Sequence, residues 1–236
     1  MVRGTPDEGA AAISQLLHGE GFAVVDISGG WAWGYCLHDH YVGYLPATTL
    51  IAGTAPATHV VTTAVALVFS RADIKSPLVD RLAMGAKVTA LSMEGDFVET
   101  ASGWLHMRHL APVDGLFDDP VSVAMRLVGT PYLWGGRSGD GIDCSGLVQL
   151  CLGLCGRDAP RDSDQQREAL GQRIDDAALQ RGDLVFFPGH VGMMVDDSRI
   201  IHANAWWMAV TIEPLADVVA RLAGNHQQPV LAVKRL

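Results

Sequence analysis

The sequence lacks any apolar run long enough to cross a membrane. No window of about eighteen residues is both apolar and free of charge, which is the usual length criterion for a transmembrane helix. The first twenty residues also never form the continuous apolar core of a signal peptide. We therefore expect a cytoplasmic protein without a membrane partner.

Basic residues and cysteines are both scarce. Lys and Arg number 17 against 26 Asp and Glu, which gives a formal charge of -9, so nucleic acid and anionic membranes are poor candidates for a partner. A small ligand that carries an amine fits this charge better. Of the four cysteines, Cys144 and Cys151 lie about 10 Å apart on one predicted helix, too far for a disulfide. We expect free thiols in a reducing compartment.

The composition is that of an ordinary globular chain, with 236 residues, 49% hydrophobic and 18% charged. Two stretches, 21–50 and 59–110, alternate short apolar runs with turn residues, which predicts two small β units. A turn-rich acidic linker follows at 111–120. Its last two residues, Asp119 and Pro120, predict a helix start. We place the domain boundaries at 1–55, 56–112 and 113–236.

The third unit combines helices with an antiparallel sheet. A periodic apolar stretch predicts a helix over 144–155. Four strand-like runs separated by turn residues follow it, which predicts a four-stranded meander and an α+β fold. Trp206 and Trp207 fall in the last part of this region, where strand alternation predicts one ring inward and one outward.

Cys144 stands at the start of the predicted helix, directly after Asp143. Backbone N–H groups and the helix dipole stabilise negative charge at that position, which favours the reactive thiolate. A buried structural thiol is the alternative for an isolated cysteine, and for Cys151 and Cys155 core packing is the better interpretation. Zinc binding is disfavoured because the cysteine spacing does not match that of structural zinc sites.

Two histidines lie on consecutive predicted strands joined by the turn at 196–198. His190 and His202 fall nearly opposite each other across that turn, so one imidazole can hydrogen-bond the other. Together with Cys144 they supply a nucleophile, a base and a residue that orients the base.

Six short segments carry a resemblance to a known family. They are Tyr132-Leu133-Trp134-Gly135-Gly136, Asp143-Cys144-Ser145-Gly146-Leu147-Val148, Pro160-Arg161-Asp162-Ser163, Arg181-Gly182-Asp183-Leu184-Val185-Phe186-Phe187, His190-Val191-Gly192 and Ile201-His202-Ala203. In their order and spacing, residues 120–236 resemble the NlpC family of cell-wall cysteine peptidases. Residues 20–112 more loosely resemble bacterial SH3-like domains. The resemblance implies a papain-like catalytic domain preceded by two small SH3-like β-barrels.

The resemblance also implies residue roles. Cys144 is then the nucleophile, His190 the base and His202 the residue that orients His190. Members with paired SH3-like domains and no signal resemble the γ-D-glutamyl-L-diamino acid endopeptidases of murein-peptide recycling. Those enzymes cleave after D-glutamate in peptides that have a free N-terminal L-Ala, and the family chemistry needs no metal or organic cofactor.

Substrate contacts follow from the same resemblance. Asp143, with Tyr41 or Tyr44 of the first SH3-like unit, is implied to hold the peptide's amine, and the sequence does not decide between the two tyrosines. The positions implied to line the substrate cleft are Ser145, Trp134, Arg161, Asp162 and Ser163. A carboxylate beside an ammonium forms a charge-assisted hydrogen bond, so N-blocked peptides should be rejected.

Two other functions remain open at the level of sequence. The chain could be a catalytically silent module that binds murein peptides, or an amidase or acyltransferase that resolves the same thioester with another acceptor. The preference between meso-diaminopimelate and L-Lys is also undecided, as is the oligomeric state.

Overall fold

The computed structural model describes residues 1–53, 55–115, 117–175 and 179–236. The chain divides into two compact units, one formed by Met1–Leu116 with Ser138–Asp140 and the other by Phe117–Arg137 with Gly141–Leu236. The three-domain boundaries stay a prediction, and Thr54 and Leu116, which lie beside them, are outside the described residues. Within the described ranges, no helix has the length and apolar character needed to cross a membrane.

The first unit begins with a five-stranded sheet. Its strands are β1 (Val2–Arg3), β2 (Ala12–Ser14), β3 (Phe22–Ser28), β4 (Trp31–Cys36) and β5 (Val42–Pro46), in the spatial order β2-β1-β5-β4-β3. The β3–β4 hairpin turns at Gly29 and Gly30, whose φ values of 58° and 84° suit a two-residue turn that only glycine adopts at low cost. Val2, Cys36 and Leu45 form the small core beneath the sheet.

Two further sheets complete this unit. Their strands are β6 (His59–Val61), β7 (Val65–Phe69), β8 (Leu78–Ala83), β9 (Lys87–Val88), β10 (Ser92–Glu94), β11 (Phe97–Thr100), β12 (Gly103–His106) and β13 (Leu110–Pro112). One sheet has the order β10-β11-β12-β7-β8 and the other β13-β6-β9. Inward-facing residues that alternate along β7, namely Ala66 and Val68, pack against Leu82 and Leu105.

The second unit is the predicted combination of helices and antiparallel sheet. Its elements are α1 (Pro120–Met125), β14 (Arg137–Ser138, of which only Arg137 belongs to this unit), β15 (Gly141–Ile142), α2 (Cys144–Gly153), α3 (Ser163–Ala169), β16 (Gln172–Arg173), β17 (Leu184–Phe187), β18 (His190–Met194), β19 (Arg199–Asn204), β20 (Ala209–Pro214), α4 (Leu215–Ala223) and β21 (Ala232–Arg235). The six-stranded sheet runs β16-β21-β17-β18-β19-β20. The predicted meander is therefore confirmed as β17 to β20, and so is the α+β fold class.

Local sequence explains the two helices that place the site. Asp119 caps α1 by accepting a hydrogen bond from the Val121 N–H, and Pro120 occupies the first helical position, as predicted. Helix α2 is buried from Cys144 to Leu152, because a helix that is apolar on all sides belongs inside a protein. It packs on β18 and β19, which are the strands that carry the two histidines.

The prediction for the tryptophan pair was wrong. Trp206 and Trp207 lie between β19 and β20, and both rings are exposed. Strand alternation does not apply to them, because β19 ends at Asn204 and β20 begins only at Ala209.

Candidate active site

Cys144 is the first residue of α2 and is buried, with 6% of its surface exposed. Asp143 caps the helix: its Oδ1 accepts a hydrogen bond of 2.7 Å from the Gly146 N–H. The Cys144 sulfur accepts hydrogen bonds from the backbone N–H groups of Ser145 and Val191. Val191 directly follows His190, so the sulfur lies beside the strand that presents the imidazole.

Two histidines face each other on the β18–β19 hairpin. His190 Nε2 lies 2.8 Å from His202 Nδ1, so the hydrogen bond expected from the sequence is present. Met193 pairs with Ile201 across this hairpin, which places His190 and His202 diagonally on one face. His202 is almost fully buried, whereas His190 is partly exposed.

Glycine at position 192 makes room for this pair. A Cβ there would lie 3.0 Å from the Cβ of His202 and 2.6 Å from Cδ1 of the buried Ile200. Both distances are shorter than normal packing allows. Gly192 is therefore required by the close approach of the His202 side chain rather than by its own backbone angles.

Glu213 is a site residue that the sequence analysis missed. Its Oε1 lies 2.8 Å from His202 Nε2, and Arg221 Nη2 donates to the same oxygen at 2.8 Å. Arg221 Nη1 donates to Oε2 at 3.1 Å. Alternation along β20 was the available signal, because Thr211 pairs with His202 and Glu213 lies two residues further on the same face. No comparable signal pointed to Arg221, which reaches the pair from α4.

Asp143 has a second partner that the sequence analysis did not foresee. Arg161 Nη1 donates to Oδ1 at 2.9 Å and Arg161 Nη2 to Oδ2 at 2.5 Å, in a bidentate pair with both residues buried. The Gly135 N–H also donates to Oδ2, at 2.8 Å. Protein donors thus surround both oxygens, and the guanidinium offsets the charge that the carboxylate presents to the thiol.

Burial dominates the protonation of the site. It raises the pKa of the Cys144 thiol to about 11, with Asp143 adding to the rise and the Val191 and Ser145 N–H groups opposing it. Burial, with His202 and Arg221 nearby, lowers the pKa of His190 to about 3. The pKa of His202 is lowered because burial outweighs the opposing effect of Glu213. The thiol and both imidazoles are therefore neutral near pH 7, and a neutral imidazole is the form that can accept a proton.

Two parts of the chain match known families. Residues 129–221 match the NlpC/P60 family, and residues 2–50 match the bacterial dipeptidyl-peptidase SH3 domain. The chain carries an NlpC/P60 domain. The NlpC/P60 domain and the first SH3-like domain were both expected from the sequence, and both are confirmed. The second SH3-like domain, expected over 56–112, stays a prediction.

Curated relatives resemble this chain in sequence, and a solved structure shares its fold. The chain is 37% identical over 106 residues to the gamma-D-glutamyl-L-lysine dipeptidyl-peptidase of Bacillus cereus, a match that covers 42% of this chain and 32% of the relative. It is 33% identical over 124 residues to dipeptidyl-peptidase 6 of Lysinibacillus sphaericus, covering 51% and 46%. The chain thus spans less than half the length of these relatives. An NlpC/P60 family protein from Bacillus cereus shares the fold, with a TM-score of 0.80 and 24% identity over 94% of this chain and 81% of that one.

Of the remaining predicted site residues of the NlpC/P60 domain, some lie beside Cys144 and others lie in other parts of the domain. Ser145 is buried beside Asp143, and its Oγ accepts a hydrogen bond of 2.9 Å from Arg161. Asp162 and Ser163 stand at the start of α3. Trp134 is 64% exposed. The structure therefore gathers Asp143, Ser145 and Arg161 around Cys144, while the substrate-lining role of all these residues stays a prediction.

The two candidate tyrosines belong to the first unit. Tyr41 precedes β5, and its backbone N–H donates to Asp39 Oδ1. Tyr44 lies within β5, pairs with Trp33 of β4, and lines a pocket with Trp31 and Asp26. Both tyrosines are partly exposed, and their role at the substrate amine stays a prediction.

The described residues contain a single group of three side chains with metal-ligand geometry. The ligand atoms of Cys36, His38 and Asp39 lie within 4.8 Å of one another, at the end of β4. None of the four cysteines, all of which lie in the described ranges, forms a disulfide, as predicted.

Proposed function

We propose that this chain is a cysteine peptidase in which Cys144 is the nucleophile, His190 the general base and His202 the residue that orients His190. One observation carries the proposal: the Cys144 sulfur contacts the Val191 N–H, next to a histidine that is hydrogen-bonded to a second histidine. This is the arrangement of nucleophile, base and orienting residue that acyl transfer requires. The NlpC/P60 match over residues 129–221 supports it.

The reaction begins when His190 removes the proton from the Cys144 thiol as the sulfur attacks an amide carbonyl. The carbon–nitrogen bond then breaks, the amine leaves with the proton held by His190, and a thioester remains on Cys144. His190 next takes a proton from water, the hydroxide attacks the thioester, and the thiol is regenerated. Because the thiol is neutral at rest, proton transfer accompanies attack rather than preceding it.

For the substrate we propose the γ-D-glutamyl–diamino acid bond of murein peptides with a free N-terminal L-Ala. Relatives named gamma-D-glutamyl-L-lysine dipeptidyl-peptidase in Bacillus cereus and Bacillus subtilis support this choice. Asp143, with Tyr41 or Tyr44, would hold the peptide's amine. A requirement for a free amine suits a cytoplasmic enzyme that recycles wall fragments, because the amine is blocked in intact wall.

The ion pair with Arg161 limits how strongly Asp143 can bind the amine of a substrate. The Asp143 carboxylate already accepts two hydrogen bonds from this guanidinium. A bound ammonium would have to share those oxygens, so its affinity for Asp143 should be lower than for an unpaired carboxylate.

The deciding experiment is incubation with L-Ala-γ-D-Glu-meso-diaminopimelate, its L-Lys counterpart and the N-acetylated form of each. Mass spectrometry should detect L-Ala-D-Glu from the free peptides and none from the acetylated ones. Cys144→Ala should abolish release, whereas Cys151→Ala, which removes a buried thiol of the same helix, should retain it. Equal release by the Cys144→Ala protein would refute the mechanism.

Two other outcomes would redirect the proposal. Binding by calorimetry without turnover in the reduced protein would indicate a silent binding module. A product that carries an added amine in place of water would indicate an acyltransferase.

A further inference from the structure

Glu213 closes a chain of hydrogen bonds that begins at His190. The chain runs from His190 Nε2 to His202 Nδ1 at 2.8 Å and from His202 Nε2 to Glu213 Oε1 at 2.8 Å. Arg221 contacts both carboxylate oxygens, and Trp207 Nε1 lies 3.4 Å from Oε2. The donor or acceptor role of each nitrogen and oxygen in this chain depends on the charge of Glu213 and of the two imidazoles.

The charge state of Glu213 fixes the first role. Hydrogen bonds from Arg221, His202 and Trp207 hold the pKa of Glu213 below its usual range, so the side chain is an ionised acceptor with no proton to donate. His202 must then carry its proton on Nε2. Because His202 is neutral, its Nδ1 bears a lone pair.

The second link follows in the same way. The lone pair on His202 Nδ1 can accept only from a protonated His190 Nε2. A neutral His190 with its proton on Nε2 keeps its lone pair on Nδ1, the nitrogen that remains free to accept a proton from a nucleophile. The opposite tautomer of His202 would donate to His190 Nε2 and place the His190 proton on Nδ1.

We propose that Glu213 is a positioning residue that sets the tautomers of His202 and His190, so that His190 offers its lone pair at Nδ1. Arg221 holds Glu213 in place from α4. The catalytic consequence rests on the proposed function, whereas the tautomers themselves do not. The charged and titratable groups that act on the two imidazoles are each other, Glu213 from β20 and Arg221 from α4.

The test reads the tautomers directly. Long-range ¹H–¹⁵N spectra of the full chain near pH 7 show which ring nitrogen of each histidine carries the proton, and His190→Gln and His202→Gln proteins assign the two residues among the nine histidines. The wild-type spectrum should show the proton on Nε2 of both. A proton on Nδ1 of either residue would overturn the proposal without the need for any variant at position 213.

Variants separate the acceptor from the rest of the side chain. Glu213→Met removes the acceptor and should give a mixture of tautomers in both histidines. Glu213→Gln can keep an oxygen towards His202 Nε2 and should restore the wild-type tautomers. The control is Asp183→Asn, which loosens another carboxylate–arginine pair of the same unit, Asp183 with Arg235, and should lower the melting temperature without changing the tautomers.

Kinetics gives a second readout. For Glu213→Met we expect kcat to fall about 10- to 100-fold, by analogy with the loss seen when the hydrogen-bond partner behind a metal-binding histidine is removed. KM should stay unchanged, and Glu213→Gln should recover most of the wild-type kcat. If no peptide is cleaved by any variant, the proposed function fails while the spectra still decide the tautomers. Wild-type tautomers together with wild-type kcat in Glu213→Met would show that Glu213 is only structural.

Discussion

Asp143 combines two roles that pull on the same carboxylate. It caps α2 next to the thiol, and it forms a buried bidentate pair with Arg161. A negative charge beside Cys144 opposes formation of the thiolate, but the guanidinium and two backbone N–H groups share that charge. The helix start can therefore hold an aspartate directly before the Cys144 thiol.

Removal of Asp143 should lower the free energy of unfolding more than removal of an exposed carboxylate does. Asp143→Ala leaves the Arg161 guanidinium buried without its counter-charge, so we expect the free energy of unfolding in urea to fall by about 3–5 kcal/mol. The control, Asp196→Ala, breaks the exposed pair with Arg199 and the turn hydrogen bonds from the Ser198 and Arg199 N–H groups, and should cost much less stability because the site is exposed.

The double variant Asp143→Ala/Arg161→Met completes this test. It should recover part of the loss, because no unpaired charge remains buried. Equal losses for the Asp143 and Asp196 variants would contradict a stabilising role of the buried pair.

At the scale of elements, the β18–β19 hairpin holds both histidines, His190 on β18 and His202 on β19. Its two strands pair antiparallel and pack against α2, so the imidazoles and the start of the helix are held by regular backbone rather than by loops. The hairpin geometry depends on Gly192, the residue across from His202. A larger residue there should disturb the site by pushing on His202.

Gly192→Ala should displace His202. The new Cβ would lie within 3.0 Å of the His202 Cβ and of the Ile200 side chain, so we expect a loss of about 1–3 kcal/mol in the free energy of unfolding. Alkylation of Cys144 by iodoacetamide should also slow, because the His190–His202 bond loosens. Mass spectrometry of the alkylated peptide measures that rate.

A glycine in open space provides the control for this change. Gly153 ends α2, and a Cβ there meets nothing within 4 Å. Gly153→Ala should leave alkylation unchanged and stability equal or slightly higher, since alanine favours a helix over glycine. Faster or unchanged alkylation in the Gly192→Ala protein would show that the hairpin tolerates the added methyl group.

For the whole molecule, buried neutral histidines make stability depend on pH. The pKa values of His190 and His202 are lowered by folding, so the unfolded chain binds more protons than the folded one once the pH drops below the ordinary histidine pKa of about 6.5. Their contribution to stability is complete above that pH and is lost as the pH falls towards the folded values. For His190 that window extends down to about 3.

The free energy of unfolding should therefore decrease between pH 7 and pH 4, by at most about 1.4 kcal/mol per pH unit for each histidine. Urea titrations at a series of pH values measure the slope. His190→Gln should make it shallower, because that variant lacks the buried imidazole. A slope that is identical in wild type and His190→Gln would contradict the role of the buried imidazole.

The sequence by itself determined the local structure of this protein. Asp119 and Pro120 start α1, Asp143 starts α2, and turn residues separate the four strands of the meander, because capping and strand alternation act between residues close in the chain. The hydrogen bond between His190 and His202 was predictable for the same reason, since a short hairpin joins them.

Only the tertiary structure decided which distant side chains meet at the site. Arg161 reaches Asp143 from beyond the end of α2, and Arg221 reaches Glu213 from α4. These pairs depend on how helices pack on the sheet, which periodicity does not encode. Cys144 itself was identifiable at the helix start. The Val191 N–H beside its sulfur and the contact of Glu213 with His202 appear only in the packed structure. They form there because a buried polar group needs a hydrogen-bond partner.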